Sequence, residues 1–364
     1  MLQYIFILVW LGFMGGIASQ IQLKRLEFVC GERVMRYPWW FSLFVFFPII
    51  WMAATRGYFG DTFMYQITYL KMPDSFLEFA EYLKSVEKDK GYSVFAFFVK
   101  QIVGNNTVCY FAVVAFVQAV LLITVFRKYT PYYIMVVFLF VASTDYLSWM
   151  FNGIRQFMAV TIVFSATIFM LKKKYLPLLG VILLASSFHK TALLMIPCVL
   201  IAQGNAWNKK TLVFIAVILL SVAFIGTFTS LLDSALKETQ YVNVVSDYKS
   251  WNDDGTSFLR VVFYSIPAIL SFIWRKKIQK VRDPLVNFCT NMSIISMGLY
   301  VISMFTSGVF IGRLPIYVSL YGYILLAWEI HHCFRKEMIQ FAIGGLIVVY
   351  SLFYYVQMKV WEMF

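Results

Sequence analysis

Four arginines stand where apolar segments begin or end. Arg56 lies in Thr55-Arg-Gly-Tyr-Phe-Gly-Asp-Thr62, Arg155 in Phe151-Asn-Gly-Ile-Arg-Gln-Phe157, Arg260 ahead of another apolar run, and Arg313 in Gly312-Arg-Leu-Pro-Ile-Tyr317. A guanidinium is always charged and offers a planar, bidentate fork that suits phosphate. An ionisable residue at a membrane mouth is costly, so each arginine is a candidate anion ligand. Snorkelling to lipid headgroups is the alternative for any one of them. Arg155, Arg260 and Arg313 would also head helix N-termini, where the backbone dipole favours an anion.

Two groups near these arginines could move a proton. Asp61 follows Gly60 among Tyr58, Tyr65 and Tyr69, and could be a general base or the cap of a helix starting at Thr62. His189, in Ser186-Ser-Phe-His-Lys190, could be a base, a hydrogen-bond partner of a substrate, or a structural histidine. Lys190 beside it would meet an anion or pair with a carboxylate such as Asp145. His331-His332 lies in a basic stretch and is expected to be solvated.

The elements that position these groups follow from composition. The chain has 364 residues, 61% hydrophobic and 13% charged. A soluble domain needs roughly 25% charged residues to cover its surface. An all-α polytopic membrane protein, a single transmembrane domain over residues 1–364, is therefore expected. About ten full spans are read at 3–20, 38–54, 107–126, 132–150, 155–171, 211–230, 259–274, 285–305, 314–330 and 338–357. The first run lacks a basic leader and reads as a retained helix.

Charge orients the spans. Six basic clusters, at Lys24/Arg25/Arg33/Arg36, Arg127/Lys128, Lys172–Lys174, Lys209/Lys210, Arg275–Arg282 and Arg335/Lys336, fall on one side if the spans alternate. Those loops hold 18 Lys and Arg against five acids (Glu27, Glu32, Asp283, Glu329, Glu337), while the rest balances 13 against 13. The net charge of +13 is thus accounted for by the positive-inside bias, and no nucleic-acid partner is implied. Both termini, the four arginines and the two long loops at 55–106 and 231–257 are then non-cytoplasmic. A short helix along the interface is expected over Glu78–Lys90.

Residues 176–203 must leave and return to the cytoplasmic side, so a hairpin of two short helices bent near His189 is expected, its tip deep in the protein. The second long loop mixes Tyr241, Asp247, Tyr248, Trp251, Asn252, Asp253 and Asp254. Rings with carboxylates and amides suit sugar binding, or form an ordinary interfacial belt. The five cysteines form no CxxC pair and suggest neither disulfides nor zinc. Neither GxxxxGK[ST] nor HExxH occurs, and no cofactor or metal is expected.

Arg56…Gly60-Asp61-Thr62…Tyr65…Tyr69, Asn152-Gly-Ile-Arg155-Gln156, Ser-Phe-His189-Lys-Thr-Ala-Leu and Gly-Arg313-Leu-Pro-Ile-Tyr317 together resemble the EpsG/Wzy-type family of bacterial polysaccharide polymerases, in order and over nearly the full chain. Arg260 and the Asp253-Asp254 pair do not map onto that pattern. The resemblance implies a GT-C-like helical bundle in the bacterial inner membrane. It implies a glycosyltransferase that joins oligosaccharide units carried on undecaprenyl pyrophosphate at the periplasmic face, with chain-length regulator and flippase proteins as further partners. Arg155, Arg313, Arg260 and Arg56 would hold the pyrophosphate, and Asp61 or His189 would take the acceptor's proton. Tyr65, Tyr69, Gln156, Tyr248, Trp251, Asp253 and Tyr317 would contact glycan. A flippase of lipid-linked glycans or a membrane O-acyltransferase is the alternative, and an O-antigen ligase differs only in acceptor.

Overall fold

The computed structural model describes residues 2–20, 25–29, 32–57, 59–236 and 253–362. In chain order its helices are α1 (Leu2–Gln20), α2 (Trp39–Ala54), α3 (Thr62–Leu70), α4 (Phe76–Ser85), α5 (Lys90–Val103), α6 (Thr107–Tyr129), α7 (Tyr133–Ala142), α8 (Ile154–Ser165), α9 (Thr167–Leu171), α10 (Tyr175–Phe188), α11 (Met195–Ala202), α12 (Lys209–Ala223), α13 (Ile225–Leu236), α14 (Phe258–Ile273), α15 (Arg275–Ile278), α16 (Pro284–Met304), α17 (Ile316–Cys333) and α18 (Ile339–Val360). The all-α polytopic class holds. Its one addition among the described residues is an antiparallel ribbon, β1 (Arg25–Val29) with β2 (Glu32–Arg36), Arg25 facing Arg36.

All ten expected apolar stretches are helical, but they are not all continuous. Four helices among the described residues are long and apolar enough to cross a membrane: Leu2–Ser19, Thr107–Tyr129, Pro284–Met304 and Lys336–Val360. Two further stretches are bent pairs, by 76° between α7 and the π-helical turn Tyr146–Asn152, and by 103° between Lys209–Ala223 and Ile225–Ser234. Thr144, left-handed at φ 65°, marks the first break. Several others are shorter than a crossing. The 16-residue α2, for example, spans roughly 24 Å against ~30 Å of hydrocarbon.

The chain divides into two compact units, Met1–Leu193 with Phe341–Phe364, and Leu194–Gln340. In the first, α6 packs against α2 and α8, and α8 against α10. Where the sequence suggested one short helix over Glu78–Lys90, α3, α4 and α5 fold into an aromatic cap. Ser75 accepts from the Glu78 N–H at 3.2 Å and starts α4, and Asn106 accepts from the Cys109 N–H at 3.0 Å and starts α6. Phe79 and Phe97 stack with centroids 4.0 Å apart, and Tyr69 stacks on Tyr110 at 4.1 Å. Lys100, almost wholly buried on α5, donates to the carbonyls of Leu70 and Met72 and pairs with Asp74 at 3.0 Å. It thereby neutralises the carbonyl-rich end of α3.

The expected helix break at residue 189 is present: α10 ends at Phe188, His189 is extended, and a short 3-10 turn Lys190–Leu194 precedes α11. The arms differ in length, 14 residues for α10 and eight for α11, and they fall in different units.

The second unit is built around α16, flanked by α11, α12, α14 and α17. Asp283 caps α16 with Pro284 in its first turn. Asn287 and Asn291 on α16 accept from the N–H groups of Ala206 (2.9 Å) and Trp207 (3.0 Å), latching the loop between α11 and α12. Glu329, counted from the sequence among the acids of the basic loops, instead lies fully buried in α17, with no hydrogen-bond partner for either oxygen among the described residues. The His331-His332 pair forms the last turn of α17; His331 is half-buried and His332 exposed.

Candidate functional site

Two sequence motifs meet in the first unit because of one close backbone contact. Gly60 has φ +50°, and a Cβ there would sit 2.3 Å from the Asn152 side-chain oxygen. That oxygen accepts the Asp61 N–H at 3.0 Å. The Gly60-Asp61 turn is thus tied to the Asn152-Gly-Ile-Arg155 segment, more than ninety residues away in the chain. Asp61 occupies the cap position of α3, but its side chain makes no capping bond. Its carboxylate is exposed and lines a cavity of about 320 Å³.

The cavity is bounded by Asp61, Met64, Tyr65, Thr68, Tyr69, Met72, Tyr92, Ser93, Ala96, Tyr110 and Arg155. Of the residues predicted from sequence, Asp61, Arg155, Tyr65 and Tyr69 therefore converge. Arg155, in the first turn of α8, pairs with Asp89 at 2.9 Å and hydrogen-bonds Tyr65. The pairing is asymmetric: the Arg155 side chain is 43% exposed, while that of Asp89 is 8% exposed. Arg155 keeps part of its fork toward the cavity.

Asp89 is the residue that sequence reasoning missed. It sits in the left-handed region at φ 55°, just before α5, a conformation that aspartate, like asparagine, adopts more readily than most non-glycine residues. Burial raises its carboxyl above the ordinary value, against the lowering fields of Arg155, Lys88 and Lys190. A charge-rich stretch gave no sign which of its acids would turn inward. Tyr92 and Tyr110 were also missed. Their hydroxyls lie 2.6 Å apart in the cavity wall, hidden in the sequence among many aromatic residues of apolar helices.

Arg56 stands behind the wall. One nitrogen donates to the Met150 carbonyl at 2.8 Å, and its guanidinium lies 3.8 Å from the Phe111 ring centre. Burial pushes it down to about 10, with the fields of Tyr92, Tyr110 and Tyr65 acting the other way, so it stays cationic at neutral pH. Tyr69 donates to the Gly104 carbonyl at 2.7 Å, and burial pushes its hydroxyl up to about 12.

His189 does not line the cavity. Its Nδ1 is 2.6 Å from the Thr191 hydroxyl. The end of α10 nonetheless abuts the start of α5: a Cβ at Gly91 would meet the Ser187 hydroxyl at 2.1 Å, and Phe188 contacts Tyr92 and Phe95. The nearby acid for Lys190 is Asp89 rather than Asp145, which is fully buried. Gln156 is buried on α8 away from the cavity.

Arg260, Arg313, Asp253 and Tyr317 belong to the second unit. Arg260 lies 5.8 Å from the Tyr264 ring centre on α14, and Arg313 ends the 3-10 turn Ile311–Arg313. Tyr317 is buried in α17. Asp253 is engaged within the chain. Its two oxygens accept from the Ser307 hydroxyl (2.7 Å) and from the N–H groups of Gly308 (2.9 Å), Val309 (3.0 Å) and Gly255 (3.1 Å). Burial alone would raise its carboxyl, but these hydrogen bonds outweigh that and hold it below the ordinary carboxylate value. Tyr248 and Trp251 lie outside the described residues. No group of three His, Cys, Asp or Glu is placed to hold a metal ion among the described residues.

No curated protein and no solved structure gives a significant match to the chain. A sequence model of the EpsG family matches residues 39–362, which covers every motif described above. This multi-pass membrane protein belongs to the EpsG family.

Proposed function

We propose that the protein is a polysaccharide polymerase that joins oligosaccharide repeat units, carried on undecaprenyl pyrophosphate, at the periplasmic face of a bacterial inner membrane. Family membership supports a polymerase-type role in polysaccharide synthesis. The observation that carries the finer reading is the convergence of Asp61, Arg155, Tyr65 and Tyr69 on one cavity from segments far apart in the chain.

The chemistry that this cavity suits is displacement at a sugar–pyrophosphate carbon. The acceptor hydroxyl oxygen bonds to the anomeric carbon as the bond from that carbon to the pyrophosphate oxygen breaks, and the pyrophosphate leaves with the electron pair. Arg155 is assigned to the charge that builds on the leaving group, where a preorganised cation stabilises the transition state most. The acceptor's proton passes to the Asp61 carboxylate, which is open to the cavity and makes no capping bond. Tyr65, hydrogen-bonded to Arg155, is assigned to contact with sugar. Tyr69 shapes the wall with its ring stacked on Tyr110 and its hydroxyl given to the Gly104 carbonyl, and Asp89 holds Arg155 in place before the donor arrives. Arg56 adds a fixed positive field from behind the wall. His189 is proposed as a positioning residue at the helix break that ends α10.

The test is complementation of a deletion strain, with glycolipids resolved by length. Wild-type protein should restore the long-chain ladder, whereas Arg155→Ala and Asp61→Asn should leave single repeat units despite normal membrane levels. Arg155→Lys should retain a residue of activity, reduced by about tenfold or more for loss of the bidentate fork. Long chains from both Arg155→Ala and Asp61→Asn would sink the assignment. Failure of any unit to reach the surface would point to a flippase instead.

A further inference from the structure

The second unit carries an apolar groove of about 470 Å³ between α11 and α12, which shares no lining residue with the cavity at Asp61 and Arg155. Leu200, Ile201, Val213, Phe214 and Val217 form its walls and floor. Its volume falls within the range of small-molecule sites. The floor is held in place: Phe214 packs so closely on α16 that a Cβ at Gly298 would lie 2.6 Å from its ring.

Among the described residues, the charged side chains lining the groove are two lysines, Lys209 and Lys210, in the first turn of α12. Lys210 donates through Nζ to the Leu200 carbonyl in the last turn of α11, which fixes its ammonium over the end of the groove. Capping that carbonyl accounts for one of the three donors on Lys210 and for none on Lys209. Among the described residues, no acidic side chain lines the groove to balance the two charges. Apolar walls with two cations at one end match a molecule with an apolar chain and an anionic head. Basic pockets between membrane helices hold anionic lipid headgroups in this manner, with about 1 kcal/mol per lysine near the surface.

We infer that this groove binds one acyl chain of an anionic phospholipid, with the lipid phosphate seated on Lys209 and Lys210. The site is independent of the polymerase reading, since neither lysine takes part in that chemistry. Two lysines at about a factor of five each give an expected preference of about twenty-five-fold for an anionic over a zwitterionic headgroup.

The experiment is exchange of the purified full-length protein, in detergent, with vesicles of phosphatidylglycerol or phosphatidylcholine that share the same acyl chains. Lipid retained per protein is then counted by native mass spectrometry. Wild-type protein should retain phosphatidylglycerol in preference, and Lys209→Gln/Lys210→Gln should bring the two lipids close to parity. Val213→Trp, which fills the groove without touching the charges, should lower retention of both lipids while thermal unfolding stays cooperative. Equal retention of the two lipids by wild-type protein, or an undiminished preference in the double-glutamine variant, would overturn the inference.

Discussion

At the residue scale, Asp89 shows how a single buried acid organises the cavity. Its 2.9 Å pairing with Arg155 ties the start of α5 to the first turn of α8 through a buried carboxylate. Burial raises its folded pKa above the ordinary carboxylate value. The native state therefore holds the proton more tightly than the unfolded state, and stability falls as pH rises through the folded pKa. Asp89→Asn should flatten that part of the pH–stability curve. Thermal unfolding of wild type and variant in detergent between about pH 4 and 7 reads this directly; an unchanged slope would remove Asp89 from the account.

At the scale of elements, two loop junctions bear the geometry. Gly60 and Asn152 join the start of α3 to the start of α8. Gly60→Ala adds a Cβ at positive φ and forces Asn152 aside, an expected cost of about 1–3 kcal/mol. Asn152→Ala removes the acceptor for the Asp61 N–H, and the double variant should cost less than the sum, because both changes act on one contact. Chemical unfolding of the three variants measures that coupling. In the second unit, Asp253 docks residues 253–257 onto 307–309. Asp253→Ala should lose about 3 kcal/mol, since it leaves the buried Ser307 hydroxyl and three part-buried N–H groups without their acceptor. Because hydrogen bonding lowers the Asp253 carboxyl, its contribution is complete above the unfolded carboxylate pKa and fades as pH falls through the folded one. Wild-type protein should therefore soften in acid, and Asp253→Ala should lose that part of the pH dependence.

At the scale of the whole molecule, the expectation to test is sidedness. Single cysteines placed in the basic loops, for example at Lys173 or Lys276, and at the outer ends, for example at Asp61 or Asp254, should react with a membrane-impermeant thiol reagent from opposite sides. The background would lack the native thiols, of which Cys109 is exposed while Cys198, Cys289 and Cys333 are buried. Reaction of both sets from the same side would contradict the charge-derived orientation.

Much of this protein was legible in the sequence. Composition alone demanded a polytopic helical protein, because 61% hydrophobic residues with 13% charged cannot face water. The break at His189 could be read from run length, and Asp61, Arg155, Tyr65 and Tyr69 stood out by residue type at the edges of apolar runs. Tertiary structure decided what hydropathy cannot see. A window average does not register the left-handed Thr144 or the 103° bend between α12 and α13, because both keep the sequence apolar while turning the chain. Nor could it separate Asp253, whose oxygens are spent on Ser307 and three backbone N–H groups, from an acid left open for a ligand. Asp89 and Asp61 are the same residue type in the same stretch between α2 and α6, yet one is buried against Arg155 and the other faces the cavity. That difference comes from which backbone hydrogen bonds and aromatic stacks the folded chain can form over long separations, and it exists only once the helices have packed.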